Sequence, residues 1–290
     1  MADIEEKTEE RKIGLFINPL AGKGRSTTLA LQISNKLKEK SIDCHVFESV
    51  WPATLHQLYE VWIVGGDGTL HYFLNKYKHI DIPLAIFKGG TGNDFAWKLY
   101  GEMTVEQQIQ HLFSVSPKAV DAAESNGIIF INGIGIGFDG EVIRSIKTIR
   151  WIGGHLGYYL AIIKQIFFYK ELLLTIKVNN NIFTGKYLLT MICNSSRMGG
   201  GFMISPESLI DDGILNVILC KPLTLFKRLR YLPVIEKGRH LHLPFINSLL
   251  NVSNIKVSAT KKVYAQIGGD LYCDDVFNIA VLPKKYLFRY

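Results

Sequence analysis

The chain contains 290 residues, of which 48% are hydrophobic and 20% are charged. This composition excludes an intrinsically disordered chain and is typical of a globular protein with a sizeable core. The net charge of +7 favours anionic partners such as nucleotides or acidic lipid surfaces. We expect no nucleic-acid partner, because many enzymes that bind none carry a positive excess of this size.

Residues 1–11 are charged, lack an apolar signal region and are predicted to form a flexible tail. The longest lipophilic stretch, residues 156–168, contains Lys164 and is too short to span a bilayer. The four cysteines are widely spaced and form no Cys-x-x-Cys pair, which predicts reduced thiols and no zinc site. These features predict a cytosolic protein without a permanent membrane anchor.

Short apolar runs alternate with helical periods in the first part of the chain. Four of these runs are rich in β-branched and aromatic residues and predict strands at residues 13–18, 44–49, 61–64 and 83–87. Leu29, Ile33 and Leu37 mark a helix after the first strand, and we expect a short helix after the second. Alternating strands and helices predict an α/β, Rossmann-like nucleotide-binding domain with a parallel sheet over residues 12–122.

The second part of the chain is richer in strands joined by turns. Strands are predicted at residues 128–138, 172–178, 185–193, 215–220, 255–258 and 263–267. Asn179–Asn181 is typical of a hairpin turn, and helices are expected at about 141–170 and 223–237. This pattern predicts a C-terminal antiparallel β-sandwich domain over residues 123–275, with residues 276–290 returning to the first domain.

A glycine-rich turn, Gly65-Gly66-Asp67-Gly68-Thr69, lies between an apolar strand and an amphipathic helix. Glycines allow the backbone to approach a phosphate closely, and the N–H groups of a helix N-terminus bind anions. Asp67 cannot itself attract phosphate. The acid therefore indicates a bound metal ion, water or hydroxyl beside the phosphates, which is typical of nucleotide chemistry.

Two similar loops follow the first and fourth strands, and the one after the fourth strand is Lys88-Gly89-Gly90-Thr91-Gly92-Asn93-Asp94. Asn18-Pro19-Leu20-Ala21-Gly22-Lys23-Gly24 departs from the P-loop pattern, yet its backbone can hold an anion with help from Lys23 and Arg25. Each loop alone could be an ordinary turn. Three such loops at the carboxyl ends of parallel strands converge on one crevice, and together they predict a nucleotide site. The candidate cofactor-binding residues are Asn18, Pro19, Gly22, Lys23, Gly65, Gly66, Asp67, Gly68, Thr69, Gly90, Thr91, Asn93 and Asp94.

In order and spacing, the three motifs resemble the diacylglycerol kinase and sphingosine kinase family, and its small bacterial lipid kinases match this chain in length. The resemblance extends from about Lys12 to the end. It implies an active site between an α/β domain and a β-rich lipid-substrate domain, with ATP and Mg²⁺ as cofactors. The reaction it implies transfers the γ-phosphoryl group to a lipid hydroxyl, with diacylglycerol giving phosphatidate. Asp67 would serve the metal or its water shell as a catalytic residue.

The resemblance also implies a structural magnesium site at Asp211-Asp212-Gly213-Ile214-Leu215. Asp212 would supply a carboxylate, and the backbone carbonyls of Leu209 and Ile214 would assist. Oxygen ligands of these kinds suit a hard cation. The alternative interpretation is a simple Asp-Gly turn without metal.

The family's last motif, Asp-Gly-Glu, is altered in this chain to Gly268-Gly269-Asp270. Asp270 is then the candidate general base, although Asp reaches about 1.5 Å less far than Glu, one C–C bond. Tyr72 stands where the family usually has Glu. Both departures concern acidic groups near the phosphates, so the sequence supports ATP binding better than it identifies the acceptor.

A basic cluster surrounds an apolar helix in the second part of the chain: Lys221, Lys227, Arg228, Arg230, Lys237 and Arg239. This pattern is typical of peripheral binding to a membrane surface, and its alternative is a solvated face of a core helix. The aromatic residues Tyr158, Tyr159, Phe167, Phe168 and Tyr169 are predicted to be core. Two other functions stay open, an NAD kinase-like enzyme and a nucleotide-binding protein without kinase activity. The sequence is compatible with a homodimer, and His71 receives no role.

Overall fold

The computed structural model describes residues 12–148 and 154–290. The predicted tail and the middle of the predicted helix 141–170 lie outside these residues. A parallel sheet forms the N-terminal part, in the spatial order β2-β1-β3-β4. Its strands are β1 (Lys12–Ile17), β2 (Cys44–Glu48), β3 (Leu58–Gly65) and β4 (Leu84–Lys88). The helices of this part are α1 (Arg25–Glu39), α2 (Asp67–Lys76), α3 (Asp94–Tyr100) and α4 (Val105–Ser114).

The predicted short helix between β2 and β3 is wrong, because residues 49–57 form only turns and extended segments. Pro52 disfavours helical backbone at Trp51. The Trp51 ring packs instead against Phe16 and Phe73, with ring centroids 5.3 and 5.7 Å apart. This connection is therefore held by aromatic packing in place of helical hydrogen bonds.

Antiparallel strands dominate the C-terminal part, as expected for the predicted fold class, which is confirmed. They are β5 (Pro117–Ser125), β6 (Ile128–Phe130), β7 (Gly133–Ile136), β8 (Leu172–Val178), β9 (Asn181–Tyr187), β10 (Leu189–Cys193), β11 (Leu215–Cys220), β12 (Ile246–Val252), β13 (Asn254–Ile267) and β14 (Asp270–Arg289). The helices are α5 (Phe138–Thr148), α6 (Gly154–Phe168) and α7 (Leu225–Glu236). The predicted strands 128–138 and 185–193 are each divided in two. The predicted strands 255–258 and 263–267 form one strand with a register shift after Ser258.

The last strand, β14, joins the two parts of the sheet. Its first half pairs with β13, and its second half pairs antiparallel with β5. Near its end, Phe288 lies opposite Leu84 of β4. The end of β14 therefore contacts the N-terminal sheet, while the proposed domain boundaries stay a prediction.

A buried ion pair fastens the end of β14 to β3. The Arg289 guanidinium donates from Nε and Nη2 to Oε2 of Glu60 at 2.9 Å each. Glu60 is only 3% exposed, and its Oε1 also accepts a hydrogen bond from Trp62 Nε1 at 2.7 Å. Arg289 Nη1 donates to the Val115 carbonyl at 2.7 Å. Every charged group of this pair is thus compensated inside the core.

We expect Arg289→Ala to lower the free energy of unfolding by about 3–5 kcal/mol, because the Glu60 carboxylate would stay buried without its cation. Urea denaturation measures the change. The matched control is Lys256→Ala on an exposed position of β13, which should stay within about 0.5 kcal/mol of wild type. A loss for Arg289→Ala as small as that of the control would contradict the structural role of the pair.

Candidate active site

The three glycine-rich loops meet at the carboxyl ends of β1, β3 and β4. Asn18 Nδ2 donates to Thr69 Oγ1 at 3.3 Å, which ties the first loop to the second. Arg25 donates to the carbonyl of Gly90 at 2.6 Å, which ties the first loop to the third. The three loops therefore converge, as the sequence predicts.

Two glycine positions explain why the loops pack so closely. A Cβ on Gly66 would lie 2.9 Å from Gly90 Cα, and a Cβ on Gly22 would collide with the Gly89 carbonyl. Gly22 also has a φ of +59°, which favours glycine. Gly68 is different, because a Cβ there would meet nothing within 4 Å. The N-terminus of α2 therefore presents open backbone toward the cleft.

Most of the predicted nucleotide residues line one cleft, which also contains residues of the C-terminal part. The lining includes Asn18, Gly22, Gly66, Asp67, Gly68, Thr69, Gly90, Thr91 and Asp94. The other predicted residues, Pro19, Lys23, Gly65 and Asn93, do not line it. Asn93 supports the third loop instead, because its side chain exchanges two hydrogen bonds with the Gly90 backbone at 2.8 and 2.9 Å.

The Asp67 carboxylate has a structural role that the sequence did not indicate. Its Oδ1 accepts hydrogen bonds from the Phe95 N–H at 2.9 Å and from Asn132 Nδ2 at 3.0 Å. Its Oδ2 accepts from the Asp94 N–H at 2.9 Å. Asp67 thus caps the N-terminus of α3 and links it to the C-terminal part. The predicted role at a metal stays a prediction.

Asp94 is a second buried acid beside Asp67. Its Oδ1 accepts from Arg197 Nε at 2.8 Å, and its Oδ2 accepts from the Gly200 N–H at 2.7 Å. Burial, together with the neighbouring charge of Asp67, raises the pKa of Asp94 to about 7 despite the opposing effect of Arg197. The Arg197 guanidinium also lies 4.5 Å from the Trp97 ring centroid. Two carboxylates and one arginine therefore form a compact charged cluster on the cleft wall.

Asp139, in the first turn of α5, is a cleft residue that the sequence analysis missed. Burial raises the pKa of its carboxyl to about 6. The side-chain amide of Gln266 is oriented so that its nitrogen and its oxygen both have hydrogen-bond partners. The nitrogen donates to Asp139 Oδ2 at 3.2 Å, and the oxygen accepts from the Gly269 N–H at 2.7 Å. Asp139 is thereby connected to the turn that carries Asp270.

An alternating glycine pattern in the sequence could have indicated Asp139. Gly133 and Gly135 lie on the same face of β7, because side chains alternate along a strand. A Cβ on Gly135 would lie 2.6 Å from Asp139 Cβ, and one on Gly133 would lie 2.6 Å from Met198 Sδ. The glycines make room for side chains that face the cleft. Asn132 and Arg197 carry no comparable sequence signal.

The structure places Asp270 in the same cleft as the glycine loops, and the turn before it lies close to Gly68. Gly268 and Gly269 have φ values of +59° and +95° and form the two-residue turn between β13 and β14. The Asp270 side chain is 57% exposed. Tyr72 also lines the cleft, and its ring packs on Trp51 at 5.2 Å between centroids.

The predicted metal turn lies apart from this cleft, since none of Leu209, Asp212 and Ile214 lines it. Asp212 Oδ1 accepts from the Ile214 N–H at 3.2 Å. Partial burial, followed by the charge of Asp121, raises the pKa of Asp212. A cation would offset this unfavourable charge, but the metal role stays a prediction.

An apolar pocket adjoins the cleft between α6, α7 and the strands β10 and β11. Its apolar lining includes Ile162, Ile166, Met191, Phe202, Leu223 and Leu232. Asp139, Tyr158, Met198 and Gly199 line both the pocket and the cleft. The pocket and the cleft are therefore direct neighbours.

Comparison with known proteins agrees with this architecture. A family model described as the diacylglycerol kinase catalytic domain matches residues 12–125. A second, described as the YegS C-terminal NAD kinase beta sandwich-like domain, matches residues 132–286. The chain belongs to the diacylglycerol kinase family of lipid kinases.

Relatives of this lipid kinase span nearly its whole length. A diacylglycerol kinase of Mycobacterium tuberculosis is 27% identical, with 94% of this chain and 93% of that protein covered. A diacylglycerol kinase of Staphylococcus saprophyticus is 24% identical, with coverages of 90% and 89%. The crystal structure of a diacylglycerol kinase from Bacillus anthracis has the same fold, with a TM-score of 0.77 at 22% identity and 97% of each chain covered. The family resemblance and the lipid kinase class are thus confirmed, and the kinase family implies ATP use, usually with a divalent metal.

We expect Asp139→Asn to change how stability depends on pH. Because the native pKa of about 6 lies above the ordinary value of 3.8, the native state holds the proton more tightly than the unfolded chain. The contribution of Asp139 is therefore most favourable below pH 3.8 and declines as pH rises to about 6. Melting temperatures of both proteins are measured between pH 4 and 7. The melting temperature of the variant should rise relative to that of wild type as the pH increases. A pH-independent difference would contradict this account.

We expect Mg²⁺ to stabilise the wild-type chain through the acidic turn and to lose this effect in Asp212→Asn. At a Mg²⁺ concentration of 100 times the Kd, binding to the native state would stabilise it by about 2.7 kcal/mol. Asp211→Asn is the matched control and should retain the shift. Thermal unfolding with and without Mg²⁺ measures it, and an equal shift in both variants would support the simple turn.

Proposed function

We propose that this lipid kinase transfers the γ-phosphoryl group of ATP, with Mg²⁺, to the hydroxyl of diacylglycerol to give phosphatidate. The observation that carries the proposal is the apolar pocket that adjoins the glycine-loop cleft and shares Asp139, Tyr158, Met198 and Gly199 with it. A lipid hydroxyl can reach the cleft while its acyl chains remain in apolar surroundings. An acceptor such as NAD would leave polar groups unpaired in that pocket.

The glycine loops fit a polyphosphate. Open space in front of Gly68 and the first turn of α2 allow phosphate oxygens to approach backbone N–H groups. Asp67 would repel phosphate unless a cation lies between them, and its carboxylate is oriented by three hydrogen bonds. Bound Mg-ATP would supply the phosphoryl group and neutralise the charge that develops during transfer.

Asp270 is the residue we assign to accept the hydroxyl proton. It lies in the cleft with its side chain partly exposed, and Gly68 and Thr69 line the same cleft. A base must come within about 2.6–3.2 Å of the proton that it takes. The turn of two glycines before Asp270 places its backbone in a conformation that brings this short acid to the cleft.

The proposed reaction is tested by incubating the protein with labelled ATP, Mg²⁺ and vesicles that contain diacylglycerol. We expect labelled phosphatidate, and we expect Asp270→Asn to reduce its formation by about 100-fold or more. Label on NAD would replace the proposal with an NAD kinase-like activity. If ATP raises the melting temperature but no lipid in a panel of lipid alcohols is labelled, the chain binds nucleotide without this transfer.

A membrane surface would supply the acceptor, and we infer that α6 and α7 face it. Along α6, one side is buried, at Ala161, Ile162 and Ile166. The other side exposes an apolar stripe at Leu156, Leu160, Ile163 and Phe167. The prediction that the aromatic residues of this segment are core is therefore wrong for Tyr159, Phe167 and Phe168, because α6 carries apolar residues on its exposed side as well as on its buried side.

The neighbouring α7 exposes Leu225, Phe226 and Leu229. These residues and the apolar stripe of α6 together form a surface that we call the α6–α7 apolar face. Lys164, Lys227 and Arg230 are exposed on the same helices and favour an anionic lipid surface. Arg228 of the predicted basic cluster is not part of this surface. It pairs with Glu171 at 2.5 Å and donates to the Ile166 and Tyr169 carbonyls at 3.0 Å each.

In the part of the chain that the structure describes, no helix combines the length and hydrophobicity required to cross a membrane. The proposed contact is therefore a peripheral one that inserts side chains. Entry of the lipid would then be direct, because the buried side of α6 lines the apolar pocket.

We expect the double variant Phe167→Ser/Phe226→Ser to bind anionic vesicles at least about 10-fold more weakly, since burying one such side chain contributes about 1.5–3 kcal/mol. Co-sedimentation with vesicles of phosphatidylglycerol and phosphatidylcholine measures the binding. Leu31→Ser on α1 is the control, because Leu31 is 63% exposed but lies outside the α6–α7 apolar face. Equal binding by all three proteins would exclude the α6–α7 apolar face as the membrane contact.

A further inference from the structure

Gly268 stands where the family has an acid, and the space beside it is filled. A Cβ on Gly268 would lie 2.8 Å from His71 Cβ and would collide with the imidazole ring. The φ of +59° at Gly268 also disfavours most side chains. An acidic side chain at position 268 and the present position of His71 therefore exclude one another.

His71 belongs to α2 and is held from two sides. On one side its partners are residues that follow about 200 positions later in the chain. Its side chain is only 4% exposed. Nε2 lies 3.9 Å from Asp270 Oδ2 and 3.2 Å from the Tyr272 hydroxyl. On the other side, Nδ1 lies 3.4 Å from Asn75 Nδ2, and that amide donates to the Ile129 carbonyl at 2.8 Å. The ring is thus fixed with one nitrogen toward the candidate base.

We propose that His71 is a positioning residue for Asp270. It occupies the place of the missing acid at position 268 and, through Nε2, orients the carboxylate that receives the hydroxyl proton. This inference rests on the proposed function. His71 does not line the cleft itself, so it acts through Asp270 and not on the substrate.

The proton balance of the step is simple. The hydroxyl oxygen of the acceptor forms a bond to the γ-phosphorus, while the bond from that phosphorus to the bridging oxygen of ADP breaks. ADP leaves with the bonding electron pair, and the hydroxyl proton passes to an Oδ of Asp270.

The charge state of His71 suits this role. Burial lowers its pKa, while the charge of Asp270 and the Ile129 carbonyl act in the opposite direction. The ring is therefore neutral at neutral pH and offers one N–H and one acceptor nitrogen. The groups that face it are Asp270 and Tyr272 from β14, the Ile129 carbonyl from β6 and the Asn75 amide of its own helix.

The pairing is tested without any activity assay by an NMR titration of His71, assigned with His71→Gln. Because the charge of Asp270 raises the pKa of His71, Asp270→Asn should lower the midpoint of the titration. Asp275→Asn, an exposed acid on the same strand, is the control and should leave it unchanged. An unchanged midpoint in Asp270→Asn would overturn the pairing.

The positioning role is tested by kinetics of His71→Gln with ATP and vesicles of diacylglycerol. We expect kcat to fall on the order of 10-fold while the KM for ATP and the melting temperature stay near wild type. An unchanged kcat would overturn the role. A loss of kcat, ATP affinity and melting temperature together would also overturn it, because that pattern indicates a structural residue only.

A compensating pair tests the claim that His71 occupies the place of the acid. Gly268→Asp should melt at a lower temperature than wild type, and adding His71→Ala should recover part of that loss. Additive losses would overturn the claim. If wild type phosphorylates no lipid, the proposed function fails and the role in transfer fails with it, whereas the His71 titration still decides the pairing.

Discussion

The arrangement of the active-site cleft depends on how the Asp67 carboxylate is satisfied. A partly buried carboxylate is costly unless hydrogen-bond donors surround it. Here the donors come from the first turn of α3 and from Asn132 of the C-terminal part. One carboxylate therefore fixes the second loop, the third loop and the opposite wall in a single geometry, before any ligand contributes.

Asp94 extends this network to the wall shared with the apolar pocket. Its partners, Arg197 and Gly200, flank Met198 and Gly199, which line both the cleft and the pocket. The cleft and the pocket therefore share a wall that one short segment forms. Under the proposed function, this pre-organisation would align the two reactants without a large rearrangement at the moment of reaction.

Local patterns in the sequence were sufficient for the parallel strands, the glycine loops and their convergence. These features depend on alternation, on turn chemistry and on the rule that carboxyl ends of parallel strands share an edge. The prediction of a short helix before β3 was wrong, because the packing of Trp51 on Phe16 and Phe73 outweighs a weak helical preference.

The site residues that could not be predicted from the sequence depend on contacts between residues far apart in the chain. Asn132 and Arg197 act on acids that precede them by 65 and 103 positions, and His71 meets Tyr272 across 201 positions. No periodicity or spacing encodes such pairs. Arg228 illustrates the same limit, since its basic character suggested a surface role although its guanidinium is bound by Glu171 and backbone carbonyls.

Strand β14 carries Asp270 at its first residue and Arg289 at its last, and it pairs with β13 and β5 on the way. The two ladders overlap only at Ile279 and Ala280. A rotation of one part of the molecule against the other would therefore have to bend this single strand near these two residues.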